Sequence, residues 1–136
     1  MKREYLRIFR HDITTPQDPS PYMRRWVLRT SWGDLRLHHI LRSDSDREYH
    51  DHPFDFWSFI LWGGYWEHSA HYPEGKWFGP GSLVQKRAGE AHRLRLPENS
   101  PAWTVVWTGP KYRDWGFHTA QGWVHWREWM QVRGWY

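Results

Sequence analysis

Turn-forming residues recur about every ten residues along this chain and separate short apolar segments. Glycine, proline, serine, asparagine and aspartate cluster at residues 31–34, 63–64, 72–75, 79–81 and 97–101. No segment between them keeps a 3.6-residue apolar period long enough for a helix, whereas several alternate with a period of two. This spacing is typical of an all-β sandwich or barrel, so we expect an all-β fold of short strands.

Alternating apolar segments predict where the strands lie. Their expected bounds are residues 5–9, 26–29, 35–41, 48–52, 56–61, 65–71, 82–86, 91–96 and 103–108, with a further strand at 123–126 and one or two helical turns at 127–133. Residues 11–21 are predicted to be a loop, because three prolines within six residues exclude a helix or a central strand. The run at 56–61 is continuously apolar, which predicts a strand buried on both faces.

Tryptophan is unusually abundant, with 13 residues in a chain of 136. A core built largely from flat rings is therefore expected. Its predicted members are Trp57, Trp62, Trp66, Trp103, Trp107 and Trp115. Rings that the core does not use would suit a pocket for an aromatic or sugar substrate, since flat rings stack on both.

Composition excludes several classes of protein. The chain has no cysteine, so a disulfide framework, a zinc ribbon and a cysteine nucleophile are excluded. The formal net charge of +4 comes from scattered arginines and not from a dense basic stripe, which favours a small anionic substrate over a nucleic acid. The first residues lack the apolar segment of a signal peptide, and no apolar run reaches the roughly 18–20 residues of a membrane span. We expect a cytoplasmic protein with neither nucleic acid nor membrane as partner.

The most informative motif is His50-Asp51-His52. Strand side chains repeat every two residues, so both imidazoles point to the same side and form half of a metal site. The expected third ligand is His92, forty residues further along the chain. Imidazole nitrogen binds Fe, Cu, Ni, Mn or Zn. Three protein ligands leave positions open for water, substrate or O₂.

These segments resemble the two conserved motifs of the cupin superfamily. The first motif is HxH, three or four residues, Glu, six residues, Gly; the second is Gly, five residues, PxG, two residues, His. The matching residues are His50, His52 and Gly63 in the first motif and Gly81, Gly89 and His92 in the second. The family's glutamate would fall at Phe56 or Trp57 and is missing, and Arg87 stands in the place of the proline.

The cupin resemblance implies a double-stranded β-helix, or jelly-roll barrel, with a metal in its mouth. It covers about residues 35 to 108, which would form the metal-binding core of a single domain spanning residues 1–136. Residues 1–34 and 109–136 are expected to pack on that core.

Among cupins, a three-histidine site resembles that of the thiol dioxygenases. Tyr22-Met23-Arg24 resembles that family's Tyr-x-Arg, which implies that Arg24 holds the carboxylate of a substrate. The resemblance also implies Fe(II) and O₂ chemistry. The crosslinked cysteine of that family is absent, and Trp107 stands where its tyrosine is expected, so iron and O₂ carry over more readily than a thiol substrate.

For several side chains, the sequence allows two interpretations of their role. His38 lies on a strand expected beside the metal strand and is a candidate catalytic or pocket residue, with a core or surface position as the alternative. Arg24 is either the substrate clamp or a solvated arginine. Asp55 is either a fourth ligand or a cap of the turn after Pro53. Glu67 is either a buried acid in the barrel mouth or a cross-strand partner of a lysine or arginine.

The leading functional hypothesis is a mononuclear enzyme with one divalent metal, Fe(II), that uses O₂ to oxidise a small anionic molecule. The first alternative is a metal-dependent sugar isomerase, epimerase or lyase without redox chemistry. Copper-dependent oxidation of polysaccharide and a binding module for a glycan or protein also remain open. A homodimer is expected by analogy with small cupins, whose exposed strand edges pair.

Overall fold

The computed structural model describes residues 6–15, 18–44 and 48–132. Within these residues, twelve strands and one short helix form. They are β1 (Arg7–Thr15), β2 (Asp18–Thr30), β3 (Gly33–Ile40), β4 (Tyr49–His50), β5 (Phe56–Trp62), β6 (Tyr65–Ser69), β7 (Lys76–Phe78), β8 (Leu83–Lys86), β9 (His92–Arg95), β10 (Ala102–Thr108), β11 (Gly116–Thr119), β12 (Gly122–His125) and α1 (Trp126–Val132). No helix in this part of the chain is long and apolar enough to cross a membrane. The prediction of an all-β fold is confirmed.

The strands form two six-stranded antiparallel sheets. Sheet A has the order β1-β2-β3-β10-β5-β8, and sheet B has the order β12-β11-β4-β9-β6-β7. Neighbours such as β3 and β10 are far apart in sequence, so the chain crosses between the sheets several times. The predicted tight turn between β5 and β6 is confirmed, because Gly63 and Gly64 have φ of 76° and 138° there. β7 and β11, with three and four residues, are not foreseen by the sequence pattern.

The prediction of a loop at residues 11–21 is wrong. β1 and β2 form a long antiparallel hairpin, and the β2 range includes Pro19 and Pro21. These prolines are tolerated because β2 pairs with β3 only from Met23 onward, so no neighbour on that side needs their missing N–H groups. The register with β1 is also irregular between Ile13 and Thr15. The hairpin therefore adds two strands to sheet A.

Sheet A has a buried inner face and an apolar outer face. Along β5, Phe56, Ser58 and Ile60 are buried, and the residues that follow each of them are 40–45% exposed. The prediction that residues 56–61 are buried on both faces is wrong, because no layer of this chain's described residues covers the outer side. The prediction of a tryptophan core is also wrong, since none of the six named tryptophans is among the buried core residues of the described chain.

Aliphatic side chains together with phenylalanine and tyrosine rings form the core instead. The main cluster joins the two sheets and consists of Ile40, Ile60, Tyr65, Val84, Leu96 and Ala102. Ile40 and Ala102 are Cα partners, and Met23 is the partner of Ile40 on the other side, so this cluster fills one end of the strand rows. Towards the other end, the inner face carries buried polar residues such as Asp34, Arg36 and Thr108. The interior at that end is therefore partly polar.

Asp51 attaches the carboxy-terminal strands to the strand that carries the histidine pair. It is 1% exposed, and its Oδ1 accepts a 2.8 Å hydrogen bond from the Gly116 N–H. Its Oδ2 accepts hydrogen bonds from Trp123 Nε1 at 3.0 Å, Arg113 Nη2 at 3.2 Å and His118 Nε2 at 3.0 Å. One buried carboxylate thus anchors four groups located more than 60 residues away.

We expect Asp51→Ala to lower the free energy of unfolding by about 2–4 kcal/mol, because hydrogen bonds to charged groups contribute about 1.5–3 kcal/mol each. Urea unfolding followed by circular dichroism would measure the change. The control is Asp12→Ala, which removes an exposed carboxylate paired with Arg10 and should leave the unfolding midpoint unchanged. An equal effect of both variants would contradict the anchoring role.

Candidate metal centre

The fold brings the three predicted histidines together on sheet B. His50 ends β4 and His92 begins β9, and the two are Cα partners in the antiparallel pair. His52 follows two residues after His50, and its N–H donates a 2.9 Å hydrogen bond to Ala88 O. The ring centroids are 5.2 Å apart for His50 and His52 and 5.0 Å apart for each other pair. One nitrogen from each ring lies within 4.8 Å of the other two, so the three rings surround a common point.

The surroundings keep at least two of these imidazoles neutral. Burial lowers the pKa of His50 to about 4, and the carboxylate of Asp44 only partly offsets this effect. Burial also lowers the pKa of His52 well below its ordinary value, with the charge of neighbouring histidines as a smaller cause. Rings of Phe54 and Phe56 lie beside His52. Neutral imidazole is the form that binds a metal.

The donor set fits a divalent transition metal. Three imidazoles are ligands that suit Fe, Cu, Ni or Zn. The Nδ1 of His52 is buried and has no hydrogen-bond partner among the described residues, which is rare for a buried polar group. No carboxylate of the described chain belongs to the group of ligand atoms. An ion at the common point of the three rings would give His52 a partner that the described residues do not supply.

Glu67 orients His92 from behind. Its carboxylate is 0% exposed, and Oε1 lies 2.6 Å from His92 Nδ1 while Oε2 lies 2.8 Å from Lys86 Nζ. Burial acts to raise the pKa of Glu67, but the hydrogen bond from His92 and the charge of Lys86 outweigh it, so the pKa lies below its ordinary value. An ionised carboxylate only accepts, so His92 carries its proton on Nδ1 and leaves the Nε2 lone pair free for a ligand.

The three histidines line a cavity of about 650 Å³ between the two sheets. Sheet A contributes polar residues to the same cavity, among them Arg25, Arg36 and His38. The sheets of such a barrel lie about 10 Å apart. A small molecule inside could therefore contact the histidines with one end and the charged residues of sheet A with the other.

The two predicted catalytic residues have different positions. His38 faces inward and lines the cavity, where its Nε2 accepts a 3.2 Å hydrogen bond from Arg25 Nε. Arg24 is not among the residues that line the cavity, since alternation along β2 turns it to the opposite face from Arg25. The catalytic roles of His38 and Arg24 stay predictions. Arg25, the residue after Arg24, lines the cavity in its place.

Neither acid considered as a further ligand joins the histidines. Asp55 Oδ1 accepts hydrogen bonds from the Ala88 N–H at 2.8 Å and from the Tyr112 hydroxyl at 2.6 Å. It therefore ties the turn after Pro53 to two distant segments. Glu67 is a buried acid that contacts Nδ1 of His92, and this nitrogen is not the one left free for a ligand. Its ion pair is formed with Lys86 of sheet A and not with Lys76, its neighbour across the strands.

Three residues important for the site are missed by sequence reasoning. The sequence pattern assigns no role to Asp51, although alternation turns it to the opposite face from the two histidines and makes it a candidate anchor. Lys86 and Arg25 have no local pattern that separates them from surface cations. Their buried positions depend on which strands become neighbours, and pairing of distant strands is not visible in a single sequence.

No protein-family model matches the sequence, and no curated protein is significantly similar to it. Solved structures are similar in fold. A cupin-2 domain protein from Rhodospirillum rubrum superposes with a TM-score of 0.65 at 15% identity, covering 93% of this chain and 82% of that one. The Fe(II) form of HppE gives 0.60 at 12% identity, covering 79% and 62%. A mannose-6-phosphate isomerase-like protein from Ralstonia eutropha gives 0.59 at 14% identity, covering 67% and 87%.

This chain therefore has the cupin fold, the double-stranded β-helix predicted from its two motifs. Identities this low show the fold alone. The narrower resemblance to thiol dioxygenases is not supported by these structures and stays a prediction.

We expect Glu67→Gln to weaken the affinity for a divalent metal by about 10–100-fold, because the amide cannot hold the Nδ1 proton of His92 as a carboxylate does. Titration calorimetry with Zn(II) and Fe(II) would measure it. The matched control is Glu90→Gln, an exposed position two residues before His92 that loses the same charge. Equal losses in both variants would indicate a general charge effect, and an unchanged affinity in Glu67→Gln would contradict the orienting role.

Proposed function

We propose that this protein is a mononuclear metalloenzyme in which His50, His52 and His92 bind one Fe(II) ion, and that it oxidises a small anionic molecule with O₂. The observation that carries the proposal is the convergence of three imidazoles at the wall of a cavity of about 650 Å³. A structural metal site is usually closed by a fourth protein ligand. The described residues offer no such ligand here, so positions remain for substrate and O₂.

Iron bound at this site would supply the redox chemistry with O₂. The chain itself supplies orientation and a protected environment. Glu67 and Lys86 fix the ring of His92, and Asp51 fixes the backbone between the other two ligands. The rings of Phe56 and Phe117 lie against the histidines and exclude water from this wall of the cavity. The similarity to HppE, described as an Fe(II) protein, supports iron as the metal.

A second candidate function is a metal-dependent sugar isomerase without redox chemistry. It is favoured by the similarity to a mannose-6-phosphate isomerase-like protein and by the polar interior on sheet A. The two candidates differ in their need for O₂. Turnover under strictly anaerobic conditions, or with Zn(II) in place of Fe(II), would support the isomerase and contradict the oxidase.

Metal content tests the site directly. We expect the protein, after purification and loading with Fe(II) under anaerobic conditions, to hold one ion per chain by elemental analysis. His50→Ala, His52→Ala and His92→Ala should each reduce the bound metal to a small fraction, because two imidazoles bind far more weakly than three. The control is His71→Ala, an exposed histidine outside the group.

Oxygen uptake by the loaded protein, measured with a panel of small carboxylic and phosphonic acids, then tests the reaction. We expect uptake with at least one acid and none in the three alanine variants. A protein that binds no Fe(II), or whose metal content is the same in His50→Ala and His71→Ala, would refute the metal site. A loaded protein that turns over a substrate without consuming O₂ would refute the oxidation.

A further inference from the structure

Arg25 is a cation on the inner face of sheet A that has no carboxylate partner in the described part of the chain. It lies in register with His38, which is itself in register with Thr104, and it lines the same cavity as the three histidines. Its Nε donates to His38 Nε2 at 3.2 Å, and one terminal nitrogen lies 3.9 Å from Met23 Sδ. Its remaining N–H donors have no acceptor among the described residues.

Other arginines of the described chain show what Arg25 lacks. Arg10, Arg29, Arg36 and Arg113 each pair with an aspartate at 2.9–3.2 Å. No carboxylate of a described residue lies within ion-pair distance of Arg25. Burial lowers its pKa to about 10, and the charge of Arg36 adds to this effect. A desolvated guanidinium without a counter-charge is costly, so a bound anion would stabilise it.

The neighbours of Arg25 also suit an anion. His38 accepts at Nε2, so in its neutral form it carries a proton on Nδ1. Tyr22 also lines the cavity, and burial raises the pKa of its hydroxyl to about 12, so the hydroxyl stays a donor. The cavity is basic overall, because five arginine or lysine side chains line it against two carboxylates.

We propose that Arg25, with His38 and Tyr22 beside it, binds an oxyanion group of the substrate, which is a carboxylate, a phosphate or a phosphonate. The guanidinium presents paired N–H groups that match two oxygens of such a group. The proposal rests on the proposed function for the other end of the substrate, which would reach the three histidines across the cavity. The substrate class is then a small acid whose reacting atom lies a few bonds from its charged group.

Titration calorimetry of the full chain after metal removal tests the site, because direct binding of an anion to a metal is then excluded. The probes are inorganic phosphate, methylphosphonate and acetate, with chloride at matched ionic strength. We expect at least one oxyanion to bind and chloride not to compete. A preference for phosphate and methylphosphonate or for acetate identifies the kind of group.

The two adjacent arginines provide the decisive comparison. Arg25→Met should weaken the binding of the preferred probe at least tenfold, Arg25→Lys should weaken it less, and Arg24→Met should change it less than twofold. Loss in Arg24→Met alone, equal loss in both methionine variants, or no oxyanion binding to the parent protein would each overturn the proposal. Arg25→Lys keeps the charge and so keeps the test valid if Arg25→Met fails to fold. Metal content is measured separately, so a failure here is distinguishable from a failure of the metal site.

An independent observation concerns the outer face of sheet A. Two neighbouring rows of residues cross five strands on this face, and the only polar member is Gln85. The rows are Leu28, Leu35, Trp107, Trp57 and Gln85, and Trp26, Leu37, Val105, Phe59 and Leu83. The inner face of the same strands is more polar than this outer face. In a sheet with one face in water, the outer face is the more polar one.

The area of this outer face matches a dimer interface. Leu61 and Trp62 extend this face along β5. Together with the exposed row members Leu35, Trp57, Phe59, Leu83 and Trp107, they leave roughly 600–700 Å² per chain in contact with solvent, if about 200 Å² is assigned to a fully exposed large apolar side chain. That value is above the largest apolar patch of a typical monomer. Two copies face to face would bury about 1,300 Å², within the range of stable interfaces.

We infer that a second copy of this chain packs on the outer face of sheet A with twofold symmetry. Arg10 and Arg24 share this face but lie at one margin of the two apolar rows. The apolar centre can therefore be self-complementary, as a twofold interface requires. The contact uses the face of the sheet and not the strand edges from which a homodimer is expected on the sequence.

Sedimentation over a range of concentrations tests this inference. The wild-type protein should sediment at twice the chain mass of 16.8 kDa. Phe59→Glu should weaken the dimer at least about tenfold, since it buries an unpaired charge. Leu83→Glu, on the edge strand, gives a second variant if the first fails to fold. Val132→Glu, an equally drastic change on the exposed helix, should leave the dimer intact. A monomeric wild-type protein, or a dimer unaffected by Phe59→Glu and Leu83→Glu, would overturn the inference.

Discussion

The alternation of side chains along residues 50–52 is the constraint on which the rest of the site depends. Because successive strand residues point to opposite sides, His50 and His52 face the cavity while Asp51 faces the carboxy-terminal strands. The buried carboxylate of Asp51 binds four distant groups, and the two imidazoles meet His92. One tripeptide therefore joins the group of three histidines to the last part of the fold. A shift of one residue would exchange these roles and destroy both.

Buried ion pairs organise the interior around this constraint. Glu67 links Lys86 of sheet A to His92 of sheet B, and Asp34 holds Arg29 and Arg36 at the wall of the cavity. Each buried charge that has a partner fixes a side chain in one position. Arg25 is an inward-facing cation that has no carboxylate partner among the described residues, and for that reason we propose that an anion binds beside it.

The local patterns of the sequence were sufficient for the fold class, most strand positions and the three histidines. The two cupin-like motifs predicted the histidines, and apolar alternation with a period of two predicted the strands. Both signals depend only on residues close together in the sequence. The same patterns were misleading at residues 56–61, where a continuous apolar run proved to have one exposed side. They were also misleading at residues 11–21, where Pro19 and Pro21 are tolerated in β2 because no third strand reaches them. Sequence shows what a strand can bury, but not whether another layer covers it.

By itself, the sequence determined that this chain forms a β-barrel with histidines 50 and 52 on one side of a strand. Only the tertiary structure decided which partners these residues meet. Glu67 and Lys86 come from different sheets, and Arg25 rather than Arg24 reaches the cavity. The physical reason is that side-chain direction is set by local backbone geometry, whereas contact across a barrel depends on the register of strands far apart in the chain.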